Sequence, residues 1–128
     1  MIALVSVKDK LHTTSEKIFK AIDSNKLRNV HIPSSAYLEY QLILKSKGVD
    51  GNKILKEIVF FQNINNLGEI PLDSKIIVTS IKLRDKFQLS YFDSLHVASS
   101  MFLDSIIIGT DKDYQKLPHI TLIDPRNV

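Results

Sequence analysis

The sequence predicts an α/β domain in three layers, α/β/α, with helices on both faces of a central, mostly parallel sheet. Short apolar strands alternate with longer helical segments along the 128 residues, which is the pattern of layered α/β folds. The run Ile106-Ile107-Ile108 is continuously apolar, as expected of a strand buried on both faces of a parallel sheet. We therefore expect one domain over residues 1–128, with a single core.

The composition excludes several classes of site. There is no cysteine, which rules out disulfides, thiolate zinc sites and cysteine nucleophiles and favours a reducing, cytoplasmic location. No apolar run approaches the roughly 18 residues of a membrane span, and Met1–Val7 is too short for a signal peptide. The net charge of +3 accommodates a polyanionic partner without requiring one.

The N-terminal quarter predicts one ambiguous segment and one helix. Met1–Val7 fits a strand or the first turns of a helix, because periodicity cannot decide over so short a run. Thr13 and Glu16 have the spacing of a capping box, which predicts a helix start. The apolar face of that helix comprises Ile18, Phe19 and Ile22. Residues 23–26 then form a turn.

A strand and a helix follow. Val30–Pro33 is a short strand, since Pro33 cannot donate to a ladder. Ser34 and Ser35 are predicted to cap the next helix, which runs to about residue 47. Gly48 stands where a helix stop is expected.

Two further helices are predicted in the middle of the chain. The first runs from Ile54 to about Gln62, and residues 65–71 form a loop with room for a minimal strand. Asp73 and Ser74 are expected to cap the second helix. Its predicted core-facing residues are Ile76, Ile77, Leu83 and Phe87.

The last predicted helix runs from about Phe92 to Leu103 and is apolar or small nearly all round, so we expect it to be buried. The triple-isoleucine strand follows it. Ile120–Ile123 is the final strand, which ends at Asp124-Pro125.

Glu39 is an acid in an unfavourable place. At about 100° per residue it shares a helix face with Ala36, Tyr40 and Ile43. A carboxylate within such an apolar arc is costly unless it is compensated. We therefore expect that a cation meets Glu39 or that the site opens to water. A buried arginine partner is the structural alternative.

Two aspartates stand near the ends of predicted elements. Asp93 lies in the first turn of its helix, where capping and the helix dipole offer a structural explanation. Asp111 follows the triple-isoleucine strand, at the sheet edge where ligands gather in α/β folds. Asp113 either shares that role or is a solvated loop residue.

Converging carboxylates repel one another unless a divalent cation neutralises them. Oxygen ligands without cysteine select Mg²⁺ or Mn²⁺ over zinc. His96 lies one turn from Asp93, and we expect a helix-surface histidine with a local hydrogen bond there and no ligand role. A phosphate-binding or receiver domain is disfavoured because no glycine-rich loop follows any predicted strand.

Three stretches in order carry a resemblance to a known family: Ser34–Glu39, Tyr91–Ser99 and Ile107–Tyr114. Together they resemble the PIN domain, the small metal-dependent ribonuclease fold of VapC-type toxins, and their order and spacing match across nearly the whole chain. The resemblance implies an endoribonuclease that hydrolyses RNA phosphodiester bonds. It also implies homodimerisation and, for toxin members, a partner antitoxin protein.

The same resemblance implies a pocket of acids at the carboxyl edge of the sheet. Glu39, Asp93 and Asp111 would be the catalytic residues and would hold Mg²⁺ or Mn²⁺, with Asp113 as a further candidate ligand. Thr110 would be a polar neighbour of this metal site.

The chain departs from the family at its first motif. PIN domains begin with a central strand that ends in an Asp, which is the first metal ligand, whereas Ile2–Val7 aligns best with the helix after that strand. The printed start would then be internal to a longer chain. Alternatively, Met1–Val7 fills the central strand position and Asp9 substitutes for the acid, which we prefer on physical grounds. In the third explanation the protein is a catalytically impaired PIN module acting by RNA or protein binding.

Overall fold

The sheet organises the part of the chain that the computed structural model describes, residues 1–4 and 12–128. Its five strands are β1 (Ile2–Ala3), β2 (His31–Pro33), β3 (Gly68–Ile70), β4 (Ile106–Ile108) and β5 (Thr121–Ile123). Their spatial order is β3-β2-β1-β4-β5, and each neighbouring pair is parallel. The predicted α/β class with a central parallel sheet is confirmed.

Five α-helices connect and cover these strands. They are α1 (His12–Asp23), α2 (Ser34–Ser46), α3 (Gly51–Gln62), α4 (Ser74–Phe87) and α5 (Tyr91–Met101). Short 3-10 helices follow β4 and β5, at Lys112–Lys116 and Pro125–Asn127. Within the described residues, none of these helices combines the length and the apolar character that a membrane crossing requires.

The two faces of the sheet carry separate parts of the core. Ala3 and Ile108 pack with Phe19 of α1 and Phe61 of α3 on one face. Ile107 packs with Val97 of α5 on the other. Successive strand residues point to opposite faces, so the consecutive isoleucines of β4 contribute to both. This is the packing that a continuously apolar strand predicts.

The strand β1 occupies the centre of the sheet. Ile2 is paired with His31 on one side and Ile107 on the other, and its exposed fraction is 0%. The strand interpretation is confirmed for Ile2–Ala3, and the alignment of these residues with a helix is wrong. The rest of the predicted segment, together with Asp9, lies outside the described residues.

The order of the strands defines a switch point between β1 and β4. From β1 the chain moves outward to β2 and β3, and then crosses back to place β4 and β5 on the other side. At such a reversal the helices that follow the two strands diverge and leave a crevice at the carboxyl ends. Leu4 lies at this edge after β1, and Gly109 after β4.

The predicted helix starts are corrected at three positions. Pro33 occupies the N-cap position of α2, so Ser34 and Ser35 are its first helical residues and not its caps. The Ser34 hydroxyl donates to the backbone oxygen of Ile70 at 3.0 Å. Thr13 similarly lies inside α1, which begins at residue 12. The hydroxyls of Ser34 and Ser35 form hydrogen bonds with distant segments of the chain. Local sequence spacing does not reveal such partners.

The other predicted helix starts and stops fit better. Asp73 caps α4 by accepting a hydrogen bond from the backbone N–H of Ile76 at 3.0 Å. Gly48 has a φ of 76°, the left-handed conformation that ends many helices.

Two predicted core residues are exposed. Ile77 on α4 has an exposed fraction of 43%, because α4 packs on α5 through the neighbouring Ile76. Phe102, which lies within the helix predicted to be buried throughout, is 54% exposed, and it follows the end of α5 at Met101.

The central position of β1 predicts a specific loss of stability. Ile2→Ala removes fully buried methyl and methylene groups between two paired strands, and should lower the free energy of unfolding by about 2–5 kcal/mol. Ile77→Ala, the same change at an exposed site, should alter it by about 1 kcal/mol or less. Denaturant titration of both variants measures the difference. Equal, small effects would contradict the placement of Ile2 in the sheet centre.

Candidate metal centre

A cavity of about 270 Å³ opens at the carboxyl edge of the sheet, at the switch point between β1 and β4. Ala3 and Leu4 line it from β1, and Gly109, Thr110 and Asp111 line it from the segment after β4. Residues of α2 and α5 also line it, together with Phe19 of α1, Ile32 of β2, Phe61 of α3 and Tyr114. The acids that line it are Glu39, Asp93 and Asp111.

The N-terminus of α5 positions Asp93. Ser90 is the N-cap residue, and its hydroxyl accepts a hydrogen bond from the backbone N–H of Asp93 at 3.2 Å. The Asp93 side chain is therefore not the helix cap, although it lies in the first turn of α5, where the helix dipole favours an acid. Its carboxylate instead accepts a hydrogen bond from the hydroxyl of Tyr114 at 2.8 Å.

A tight turn after β4 positions Asp111. Its carboxylate accepts the backbone N–H of Asp113 at 2.9 Å and caps the 3-10 helix that follows. Carboxylate oxygens of Asp93, Asp111 and Asp113 all lie within 4.8 Å of one another. Burial raises the pKa of Asp111, and the negative charges of Asp93 and Asp113 raise it further. The site thus concentrates negative charge.

Tyr114 is a buried neighbour of the acids that sequence reasoning missed. Only 3% of the residue is exposed. Burial and the adjacent Asp93 charge raise the pKa of its phenol well above the ordinary value of 10.0. It therefore stays protonated and donates to Asp93. The only sequence signal is a tyrosine in the acidic loop, which does not reveal a partner 21 positions away.

Glu39 approaches the cavity from α2. Ala36, Tyr40 and Ile43 also line the cavity, which confirms the helix face predicted for Glu39. The side chain is 36% exposed, and its Oε1 lies 3.2 Å from Nε2 of His96. It stands outside the group of three aspartates whose oxygens are within 4.8 Å. Among the described residues Glu39 contacts His96 and no arginine, so the buried-arginine alternative is wrong.

His96 differs from its predicted environment. The sequence predicts a helix-surface histidine with a local hydrogen bond, but only 2% of the residue is exposed. Its ring nitrogens contact Glu39 and, at 2.8 Å, the Ser35 hydroxyl. Both partners belong to α2, more than fifty positions earlier. All residues of α5 from Ser94 to Ser100 are buried, which leaves His96 no solvent-facing side.

The donor chemistry of the cavity fits Mg²⁺ or Mn²⁺. The clustered groups are carboxylate oxygens, the ligands that hard divalent cations prefer. Asp113 is exposed and also pairs with the exposed Lys116 at 3.4 Å. Thr110 borders the cavity beside Asp111, as expected of a polar neighbour.

Comparison with known proteins agrees with this architecture. The family model of the PIN domain matches residues 1–120, so the chain belongs to the PIN domain family and the predicted resemblance is confirmed. No curated protein sequence matches the chain.

Among solved structures, the fold is similar to VapBC2 from Rickettsia felis bound to a DNA fragment from their promoter. The TM-score is 0.70 at 16% sequence identity, over 96% of this chain and 98% of that chain.

Because the pKa of Asp111 is raised, replacing this residue with an uncharged one should stabilise the protein in a pH-dependent way. The Asp111 carboxyl keeps its proton to a higher pH in the folded state than in the unfolded state, where its pKa is near 3.8. The free energy of unfolding therefore falls as pH rises through the window above 3.8. Asp111→Asn keeps the acceptor for Asp113 N–H and removes the charge. It should raise the melting temperature of the metal-free protein at neutral pH.

The matched control is Asp50→Asn, at an exposed N-cap whose side chain makes no capping bond. This variant should show no comparable gain, and the gain of Asp111→Asn should shrink in acid, where both states are protonated. Thermal melting in EDTA at neutral and acidic pH makes the comparison. A destabilised Asp111→Asn protein at neutral pH would contradict the unfavourable effect of burial and neighbouring charges on the Asp111 carboxylate.

Proposed function

We propose that this PIN domain is a divalent-metal-dependent endoribonuclease that hydrolyses phosphodiester bonds of RNA. The main support for this proposal is that one cavity at the switch point of the sheet is lined by Glu39, Asp93 and Asp111. In this proposal the three acids are the catalytic residues and hold Mg²⁺ or Mn²⁺, and Asp113 adds a further ligand.

Each residue has a distinct part in the proposed site. Asp93 on α5 and Asp111 after β4 have carboxylate oxygens within 4.8 Å of each other, and both acids line the cavity with Glu39 of α2. Asp93 and Asp111 would bind the cation together, and Glu39 would complete the set. Tyr114 holds one oxygen of Asp93 in place. When bound, the metal would supply an activated water and charge stabilisation at the scissile phosphate.

The surroundings suit a polyanionic substrate. Lys112 and Lys116 are exposed on the 3-10 helix that follows Asp111, and the net charge of the whole chain is +3. Lysines beside a site attract a phosphate backbone without reading its sequence. This supports RNA as the substrate class.

We further propose that the protein is the toxin half of a toxin–antitoxin pair, acting in the cytoplasm as a homodimer and blocked by an antitoxin protein. Its fold is similar to VapBC2 from Rickettsia felis. Large apolar side chains are also exposed on α2 and α3, among them Leu42 at 54% and Phe60 at 64%. Such surfaces often mark protein contacts.

A catalytically impaired PIN module that binds RNA or protein is the second candidate. It is favoured by the sequence after β1, where Leu4-Val5-Ser6 stands in place of the family's first Asp. In the ribonuclease proposal Asp9, the first acid of the chain, substitutes for it. Asp9→Asn should then reduce metal-dependent cleavage, whereas an impaired module would show no cleavage to reduce.

RNA cleavage by the purified protein in Mg²⁺ or Mn²⁺ is the test of the ribonuclease. Asp93→Asn removes one charge from the centre and should lower the cleavage rate about a hundredfold or more. Glu39→Gln should reduce it in the same direction, and EDTA should abolish it. The control Asp50→Asn should cleave at the wild-type rate. Activity that survives EDTA, or equal rates for wild type and Asp93→Asn, would sink the metallonuclease proposal.

A further inference from the structure

A buried polar chain lies behind the Glu39 carboxylate. The Ser35 hydroxyl is 2.8 Å from Nδ1 of His96, and Nε2 of the same ring is 3.2 Å from Oε1 of Glu39. We propose that Ser35 and His96 are positioning residues that orient Glu39 toward the candidate metal centre. The inference rests on the proposed function, since it gives Glu39 a metal to face.

The burial of Ser35 and His96 supports a positioning role for these two residues. Ser35 is 0% exposed and His96 is 2% exposed, so water is not available to satisfy either side chain. The Phe92 ring stacks on the imidazole, with ring centroids 6.2 Å apart and planes at 27°. Packing thus fixes the plane of the ring, and the two hydrogen bonds fix its rotation within that plane. A ring held in this way directs its Nε2 at one point in the cavity.

The chemistry of the three side chains determines which group donates and which accepts in each hydrogen bond. A carboxylate can only accept hydrogen bonds, so Nε2 of His96 carries the proton and donates to Glu39. In the neutral ring Nδ1 is then an acceptor, and the Ser35 hydroxyl donates to it. Among the residues the structure describes, nothing donates to Oε2 of Glu39. That oxygen is left for a cation.

The same ring relates two of the acids to each other. His96 lies one turn after Asp93 on α5, while Ser35 and Glu39 lie one turn apart on α2. The contacts of the ring with α2 therefore set the position of that helix against α5. Glu39 and Asp93 line the same cavity from these two helices.

Serine, histidine and a carboxylate in a row also suggest a nucleophilic triad, but burial argues against it. With Ser35 fully buried, its hydroxyl has no access to a substrate in the cavity. Of the three groups, Glu39 is the exposed end, at 36%. Ser35 and His96 therefore act through Glu39. Residues that hydrogen-bond to a metal ligand commonly act in this way, by orienting the ligand.

The first experiment measures the affinity of the full-length protein for Mn²⁺, by electron paramagnetic resonance of the free ion. His96→Leu should weaken binding by about tenfold to a hundredfold, and Ser35→Ala should weaken it by less. His96→Gln keeps an N–H near the position of Nε2 and should restore part of the affinity. A residue with a merely structural role would not be rescued in this way.

Ser99→Ala is the matched control. Ser99 is a buried serine on α5 whose hydroxyl donates to the backbone oxygen of Leu95 within the same helix. Its removal should leave Mn²⁺ affinity unchanged. Circular dichroism and thermal melting of every variant establish that it is folded before its affinity is compared.

A second measurement needs neither metal nor a variant. Nitrogen-15 resonances of the His96 ring in the metal-free wild-type protein, at mildly alkaline pH, should show a proton on Nε2 and none on Nδ1. This readout keeps the inference testable if His96→Leu does not fold. A proton on Nδ1 would overturn it.

The remaining outcomes separate the inference from the proposed function. Wild-type affinity in both His96→Leu and Ser35→Ala, with weakened binding in Glu39→Gln, would overturn the inference alone. A protein that shows the predicted Mn²⁺ affinities but leaves RNA intact would support the inference and overturn the ribonuclease proposal. Absence of Mn²⁺ binding by the wild type would overturn both.

Discussion

The site depends on how the protein offsets repulsion between three carboxylates. Oxygens of Asp93, Asp111 and Asp113 lie within 4.8 Å of one another, so neighbouring groups must stabilise their negative charge. Backbone N–H groups and one phenol offset part of it: Asp111 accepts the N–H of Asp113, and Asp93 accepts the hydroxyl of Tyr114. The N-terminus of α5 adds the favourable end of a helix dipole next to Asp93. The pKa of Asp111 is nevertheless raised, first by burial and then by the charges of Asp93 and Asp113. A divalent cation would complete the compensation of these charges.

The parallel sheet explains why the acids meet. Since β1 and β4 are adjacent and run in the same direction, the segments that follow them end at one edge, and the reversal of strand order opens a crevice there. Glu39 reaches this crevice from a helix that starts directly after β2. The departure from the family also lies here, because Leu4 and not an acid borders the cavity at the end of β1.

Features set by local pattern could be predicted from the sequence. Three consecutive isoleucines indicated a strand buried on both faces, and the apolar arc around Glu39 placed that acid in a cavity. Features set by contacts between distant segments could not. Ser35 had the local signature of a helix cap, yet its partner is a histidine 61 positions away. The choice between Ile76 and Ile77 as the core residue of α4 likewise depends on where α5 packs.

We propose that Glu39, Asp93 and Asp111 form one metal site at the switch point. Anomalous diffraction at the manganese edge, from crystals of the wild-type protein soaked in Mn²⁺, locates the bound ion. We expect a peak within coordination distance of the carboxylates of Asp93 and Asp111, on the side of the cavity that Glu39 faces. A peak elsewhere on the surface, or no peak at saturating Mn²⁺, would contradict it.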